Sequence, residues 1–329
     1  YHPVMSDDPG SAATTIEAVK ARVCARVDEL ADVLLTASHD IHAHPELCFE
    51  EHRAHQVLTD ILEEQGLDPV RGAYGMPTAF EARVGSEGPE VAVLCEYDAL
   101  PGIGHACGHN LFGAGSTGAA IAIKHWLEES GMPGTIRLFG TPAEEGGSGK
   151  VYMVRDGQFD DVDIVLHWHA GDRNSARASK TLANRSAKFR FNGVSAHAAG
   201  APEKARSALD GVEAMHDMVN MMREHVTPAS RMHYVITSGG SAPNVIPDFA
   251  ESYIYVRHPD PNEVRRMFDW VTRIAEGAAM GTETRMELEV IHGIYNVLPN
   301  EALGRAMHAN LTAVGGVEYT AEERRFAEM

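Results

Sequence analysis

The sequence predicts an α/β protein: a domain with a mostly parallel, helix-flanked sheet, plus an inserted α+β domain with an antiparallel sheet. Two observations carry this. Three short apolar runs, "VAVLC" (91–95), "TIRLFG" (135–140) and "DIVLHW" (163–168), read as buried parallel strands in a chain that alternates helix and strand. From about Ser186 the texture changes to two-residue alternation, which marks strands with one buried face.

Taken in order, residues 15–37 place apolar side chains at helical spacing, and "RAHQVLTDILEEQGL" (53–67) does so again, ending at Gly66. Polar chemistry follows the first two apolar runs at once, as Glu96 and Asp98 and then as Glu144 and Glu145, and the third ends in His167 and His169. Ligands gather outside the carboxyl ends of strands in open α/β sheets, so these groups are expected to converge there. "GAGSTG" (113–118) matches the dinucleotide fingerprint, but it follows a Cys/His turn instead of a strand and has no acid about twenty residues on. It reads as a small-residue helix start. "GGSGK" (146–150) fails as a phosphate loop because Glu144 and Val151 stand where Gly and Ser/Thr are needed, and Lys150 rules out a nucleophile elbow. In the second domain "SAKFRFNGVSAH", "AESYIYVRH" and "TRMELEVIHGIYNV" alternate as strands, and "SALDGVEAMHDMVNMMREH" is an amphipathic helix. A helical pattern resumes in "NEALGRAMHANLTAV". These patterns divide the chain into 1–185 and 299–329, forming the first domain, and 186–298, forming the inserted one.

The 329 residues are 44% hydrophobic, enough to build a substantial core, and their formal net charge is −19. With no Lys/Arg cluster, that charge disfavours nucleic acid and anionic membrane surfaces and points to a small-molecule partner. No apolar run reaches the roughly eighteen residues of a membrane span, and "YHPVMSDDPGSAATT" lacks a signal-peptide pattern. Cys24, Cys48, Cys95 and Cys107 follow no disulfide-framework spacing, so a cytoplasmic protein is expected.

Thiolate and imidazole are zinc-type ligands, and Cys107 and His109 can point into one site because Gly108 relaxes the backbone between them. Alone, a Cys-x-His step is more often structural. The pair Glu144 and Glu145, placed after a strand and before glycines, strengthens the signal: adjacent carboxylates can divide the tasks of metal ligand and general base. A solvated acidic loop is the blander alternative. A different chemistry is a cysteine nucleophile, Cys107 with His105 or His109, although no orienting third group lies nearby in sequence.

Six segments together, "HAHPELCFEEH", "CEYDALPGIGHACGHN", "GTPAEEGGSGK", "LHWHAGD", "VSAHAAGAPEKARSALDGV" and "GGSAPNVIPDFAESYIYVRHP", resemble the M20 metallopeptidase and amidohydrolase family. The likeness is to its branch of aminobenzoyl-glutamate hydrolases, on the side of their B-type component, and related dipeptidase-like proteins, and it runs from about residue 38 onward. It implies a catalytic domain holding two divalent ions, zinc or manganese with cobalt or nickel as alternatives, ligated by Cys107, His109, Glu145 and His169. His167 is the alternative to His169, because the sequence has "WHAG" where the family has W-H-P-G. Glu144 becomes the general base that activates a metal-bound water, and Asp98 orients a ligand. The inserted domain becomes a lid through which the chain forms a homodimer, with His197 stabilising the oxyanion and Asn244 and Arg257 contacting substrate. For Arg257 a strand-surface salt bridge is an equal alternative. The implied substrates are N-acyl amino acids, aminobenzoyl-glutamate-like conjugates or small dipeptides. The family places a further ligand histidine in a carboxyl-terminal segment that this sequence does not reach, so 299–329 is expected to be the first part of a longer return to the catalytic domain. A catalytically inactive binding protein is the remaining class of reading.

Overall fold

The computed structural model describes residues 15–176 and 179–329, so all but the last residue of the stretch read for a signal peptide lies outside the described residues. The chain forms two compact units, the first ending at Gly171 and the second beginning at Asp172.

The first unit begins with helices α1 (Ile16–Glu29), α2 (Ala31–Ala43) and α3 (His52–Glu64). The pattern over 15–37 reads as one helix, but the chain breaks it at Leu30, whose N–H bonds to Val27 and Asp28 and whose side chain is buried in the core. Five strands follow: β1 (Val70–Arg71), β2 (Phe80–Ser86), β3 (Glu90–Cys95), β4 (Gly134–Gly140) and β5 (Ile164–Leu166), with α4 (His109–Ser130) between β3 and β4 and α5 (Gly149–Arg155) between β4 and β5. The sheet order is β1-β2-β4-β3-β5. β3 runs parallel to both β4 and β5, while β2 is antiparallel to β4 and to β1, so four strands share one direction.

Every residue of β4 is buried, as its continuous apolar pattern requires of a central strand covered on both faces. Leu58, Leu62, Ile121 and Leu138 pack one face of the sheet, and Leu94, Phe112, Phe139 and Met153 the other. "GAGSTG" lies within α4, where a Cβ on Gly113 would press on the Glu96 carbonyl at 3.2 Å and one on Gly118 would meet Leu34 at 2.5 Å. Its small residues let the helix approach β3 and α2 closely, a packing role and not a nucleotide one.

The second unit holds β6 (Ala183–Asn192), α6 (Ala208–Met222), β7 (Arg231–Ser238), β8 (Phe249–His258), α7 (Pro261–Gly281), β9 (Arg285–Ile294), α8 (Glu301–Val314) and α9 (Ala321–Ala327). Its sheet, β7-β8-β6-β9, is antiparallel throughout, as the alternation predicts. Phe189, Phe191, Met215, Val219, Ile254, Phe268 and Val271 form a core between that sheet and α6 and α7.

Candidate metal centre

Four segments deliver charged or ligating groups to the carboxyl edge of the first sheet. β3 hands on Glu96 and Asp98, the start of α4 brings Cys107 and His109, β4 leads to Glu144 and Glu145, and β5 leads to His167 and His169. Because β3 lies between β4 and β5, the chain leaves it to one side and returns on the other, which opens a crevice at that edge.

Local backbone fixes the donors. Gly108 caps α4 at φ 78°, and a Cβ there would sit 2.9 Å from Ala170, so the Cys-Gly-His step needs its glycine for conformation and for space. Ala143 is held at φ 60°, and its N–H donates to Glu51 Oε1 at 2.8 Å. Buried Glu51 also accepts from Phe49 N–H and the Thr78 hydroxyl, so an acid some ninety residues upstream shapes the turn carrying Glu144 and Glu145.

Asp98 ties two of the donors together. Its Oδ1 accepts from His109 Nδ1 at 3.0 Å and its Oδ2 from Glu145 N–H at 2.8 Å. With Nδ1 donating, the neutral His109 ring presents a lone pair at Nε2, and this atom faces Glu96 Oε2 at 3.4 Å, Glu145 Oε1 at 3.8 Å and Glu144 Oε2 at 4.0 Å. Among the described residues, His109 Nε2, Glu96 Oε2 and Glu145 Oε1 are buried without a hydrogen-bond partner. His169 donates Nδ1 to its neighbour's carbonyl at 2.7 Å, again freeing Nε2, and its ring lies 5.3 Å from that of His109. Glu96, His109 and His169 form one group whose ligand atoms lie within 4.8 Å of one another, and His109, Glu144 and Glu145 form a second.

Unpaired buried polar atoms are rare and call for an explanation. A divalent cation supplies one here, since all three orphaned atoms are ligand types and His109 has the anchored Nδ1 common in metal-binding histidines. The residues fit such an ion. Imidazole, carboxylate and thiol donors together accommodate zinc, manganese, cobalt or nickel.

The charges shape the acid–base character of the site. Burial raises Glu144 above the ordinary carboxylate range, reinforced by Glu96 and Glu145 and opposed by Lys150 and His109. For Glu96 burial acts upward, yet the His167 hydrogen bond and the Lys150 charge outweigh it and hold the acid down at about 2. The Cys107 thiol is pushed up to about 12, first by its hydrogen bond with Glu145 and then by burial. That environment opposes a nucleophilic thiolate, and among the described residues the thiol pairs with an acid and not with His105 or His109. Cys107 lies beside Glu145 but belongs to neither compact donor group.

In the second unit, Ala198 N–H donates to Asn244 O at 3.0 Å and Val245 bridges His197, so the "SAH" and "PNVIP" segments run side by side. His197 is exposed, and its Nδ1 accepts from Ala199 N–H, which leaves the neutral ring's proton on Nε2. Arg257 makes no salt bridge among the described residues. Its guanidinium lies over the Tyr255 ring at 5.1 Å, and its Nε is buried without a hydrogen-bond partner among the described residues.

The sequence pattern gives Glu96, Lys150 and Glu51 no role in the site. Glu96 and Lys150 meet across the site at 2.5 Å, and His167, half-exposed and not buried, lies 3.2 Å from the same Glu96 oxygen. Glu51 sits inside the quoted "HPELCFEEH", but nothing in that string shows that it braces a distant turn.

The family model for peptidase family M20/M25/M40 matches residues 92–327. The chain belongs to this family. Among M20 relatives, it is 43% identical over 303 residues to the B-type component of p-aminobenzoyl-glutamate hydrolase from Escherichia coli (strain K12), covering 87% of this chain and 63% of that protein. The chain therefore spans less than two thirds of the length of this Escherichia coli relative. It is 34% identical to the Xaa-Arg dipeptidase of Mus musculus, covering 96% of this chain and 76% of the relative. The crystal structure of an aminobenzoyl-glutamate utilization protein from Klebsiella pneumoniae superposes with a TM-score of 0.71 at 23% identity, over 90% of this chain and 84% of that one. The M20 match places the motif segments from "CEYDALP" onward in one family frame.

Proposed function

We propose that the protein is a metal-dependent hydrolase of amide bonds in N-acyl amino acids, aminobenzoyl-glutamate-like conjugates or small dipeptides. The carrying observation is the set of buried, unpartnered atoms, His109 Nε2, Glu96 Oε2 and Glu145 Oε1, facing one another beside Glu144. Cys107, His109, Glu145 and His169 would hold two divalent ions, zinc or manganese before cobalt or nickel. Bound there, the ions supply Lewis acidity to the amide carbonyl and acidify water.

Glu144 takes the proton of the attacking water and returns it to the leaving amine, a task suited by its raised pKa and by a side chain 39% exposed to the crevice. Asp98 fixes the tautomer of His109 and the position of Glu145. His197 offers an Nε2–H to the oxyanion, the exposed Asn244 beside it contacts substrate, and Arg257 binds a substrate carboxylate. Residues 186–298 serve as a lid and homodimer interface. The four free cysteines accord with a cytoplasmic setting.

The test is metal content per chain by plasma mass spectrometry, on full-length protein purified without chelator, with hydrolysis of an aminobenzoyl-glutamate and dipeptide panel before and after chelation. Close to two ions with chelator-sensitive cleavage supports the hydrolase. Metal-free, inactive protein supports a binding protein without catalysis instead.

A further inference from the structure

Glu96 is the acid of the cluster for which the motif pattern supplies no task. It is 1% exposed, and its two oxygens have different surroundings. Oε1 accepts from Lys150 Nζ at 2.5 Å and lies 3.2 Å from His167 Nε2. Among the described residues Oε2 is buried without a hydrogen-bond partner, 3.4 Å from the equally unpartnered His109 Nε2. That separation exceeds an ordinary N–H···O bond. It matches the roughly 3.4 Å between two ligand atoms each about 2.1 Å from one tetrahedral ion. Glu96, His109 and His169 also supply three ligand atoms within 4.8 Å of one another.

We propose that Glu96 presents Oε2 as a ligand to a divalent cation shared with His109 and His169, and that Lys150 positions it by holding Oε1. The inference rests on the metal-centre reading above and adds to it a ligand and a positioning residue. The competing explanation is a buried ion pair, in which Lys150 merely neutralises Glu96.

Glutamine at position 96 separates the two. An ammonium can donate but not accept, so Lys150 would hold the amide oxygen and turn the NH2 group, which has no lone pair for a metal, toward His109. The experiment loads cobalt(II) into metal-free, full-length protein and reads its visible absorption spectrum and its affinity against a chromogenic chelator. Glu96→Gln is expected to lower cobalt affinity about tenfold or more and to alter the spectrum, with the far-UV circular dichroism retained. Lys150→Met, which releases Oε1, is expected to shift the spectrum, while Lys150→Arg, which keeps a donor there, preserves it. Wild-type affinity and spectrum in a folded Glu96→Gln protein would overturn the proposal; should that variant not fold, an unchanged spectrum in Lys150→Met would do so. A wild-type protein that takes up neither cobalt nor zinc would overturn the metal-centre reading itself.

Discussion

His109, at the carboxyl edge of the first sheet, and His216, on α6 in the second unit, are buried to similar depth but face different surroundings. His216 Nε2 pairs with the Ser252 hydroxyl at 2.7 Å and its ring stacks on Tyr234 at 3.7 Å, so it is a satisfied core side chain that burial holds neutral, with a pKa of about 4. His109 also feels burial pulling its pKa down, but the Asp98 hydrogen bond and then the charges of Asp98, Glu96 and Glu145 overcome it and raise the value. Its Nε2 has no hydrogen-bond partner among the described residues. One residue type at one depth thus becomes packing where its polar atoms are paired and a ligand candidate where they are not.

Glu144→Gln keeps the size of the side chain and removes the proton acceptor, so kcat should fall about 10³-fold or more while metal content stays at the wild-type level. His216→Gln should leave both unchanged. Single-turnover hydrolysis with parallel metal analysis reads the two variants side by side, and near-normal turnover in Glu144→Gln would end its assignment as the base.

The folded-state pKa of His216 lies below the unfolded value of about 6.5, so the unfolded chain binds the proton more readily. The stability present above about pH 6.5 should drop as the pH falls toward 4, by about 3 kcal/mol in all. Glutamine at this position can still bond Ser252 but does not titrate, so His216→Gln should flatten that slope in urea-unfolding curves. An unaltered slope would mean that other groups set the acid sensitivity.

Comparison of the two units also shows what a one-dimensional pattern can carry. β3 and β4 are legible because strands covered on both faces read as unbroken apolar runs, and β6 and β8 because burial of one face imposes alternation; β9 is read from the alternation of its sequence, although its residues are exposed or half-buried. The break at Leu30 is hidden because the apolar spacing continues through it, and β5 ends at Leu166, before His167 and His169. Strand β7 and helix α7 are not read at all, although Asp260 caps α7 directly before Pro261, an available helix-start signal. In the site, Cys107, His109, Glu144, Glu145 and His169 are readable as ligand types at strand and helix ends. The tasks of Glu96, Lys150 and Glu51 depend on which oxygen faces which neighbour, across 54 residues for Glu96 and Lys150 and 92 for Glu51 and Ala143, and no local spacing encodes that.

Asp98 holds His109 in the tautomer that sets it apart from His216. This carboxylate accepts two bonds from donors, His109 Nδ1–H and Glu145 N–H, and asparagine has one acceptor oxygen to offer. If the amide oxygen stays on Glu145, its NH2 meets Nδ1, the imidazole proton moves to Nε2, and the lone pair facing the acid cluster is lost. If it stays on His109, the turn holding Glu145 loses its anchor. Either way Asp98→Asn should weaken divalent-ion affinity about 10- to 100-fold in chelator competition without abolishing binding. In the metal-free protein the raised pKa of His109 means that its interactions stabilise the fold below about pH 6.5 and fade as the pH rises through the folded value, a slope opposite in sign to that of His216. Asp98→Asn in a His216→Gln background should therefore lose stability chiefly on the acid side. Wild-type metal affinity together with an unchanged pH profile would show that Asp98 orients neither donor.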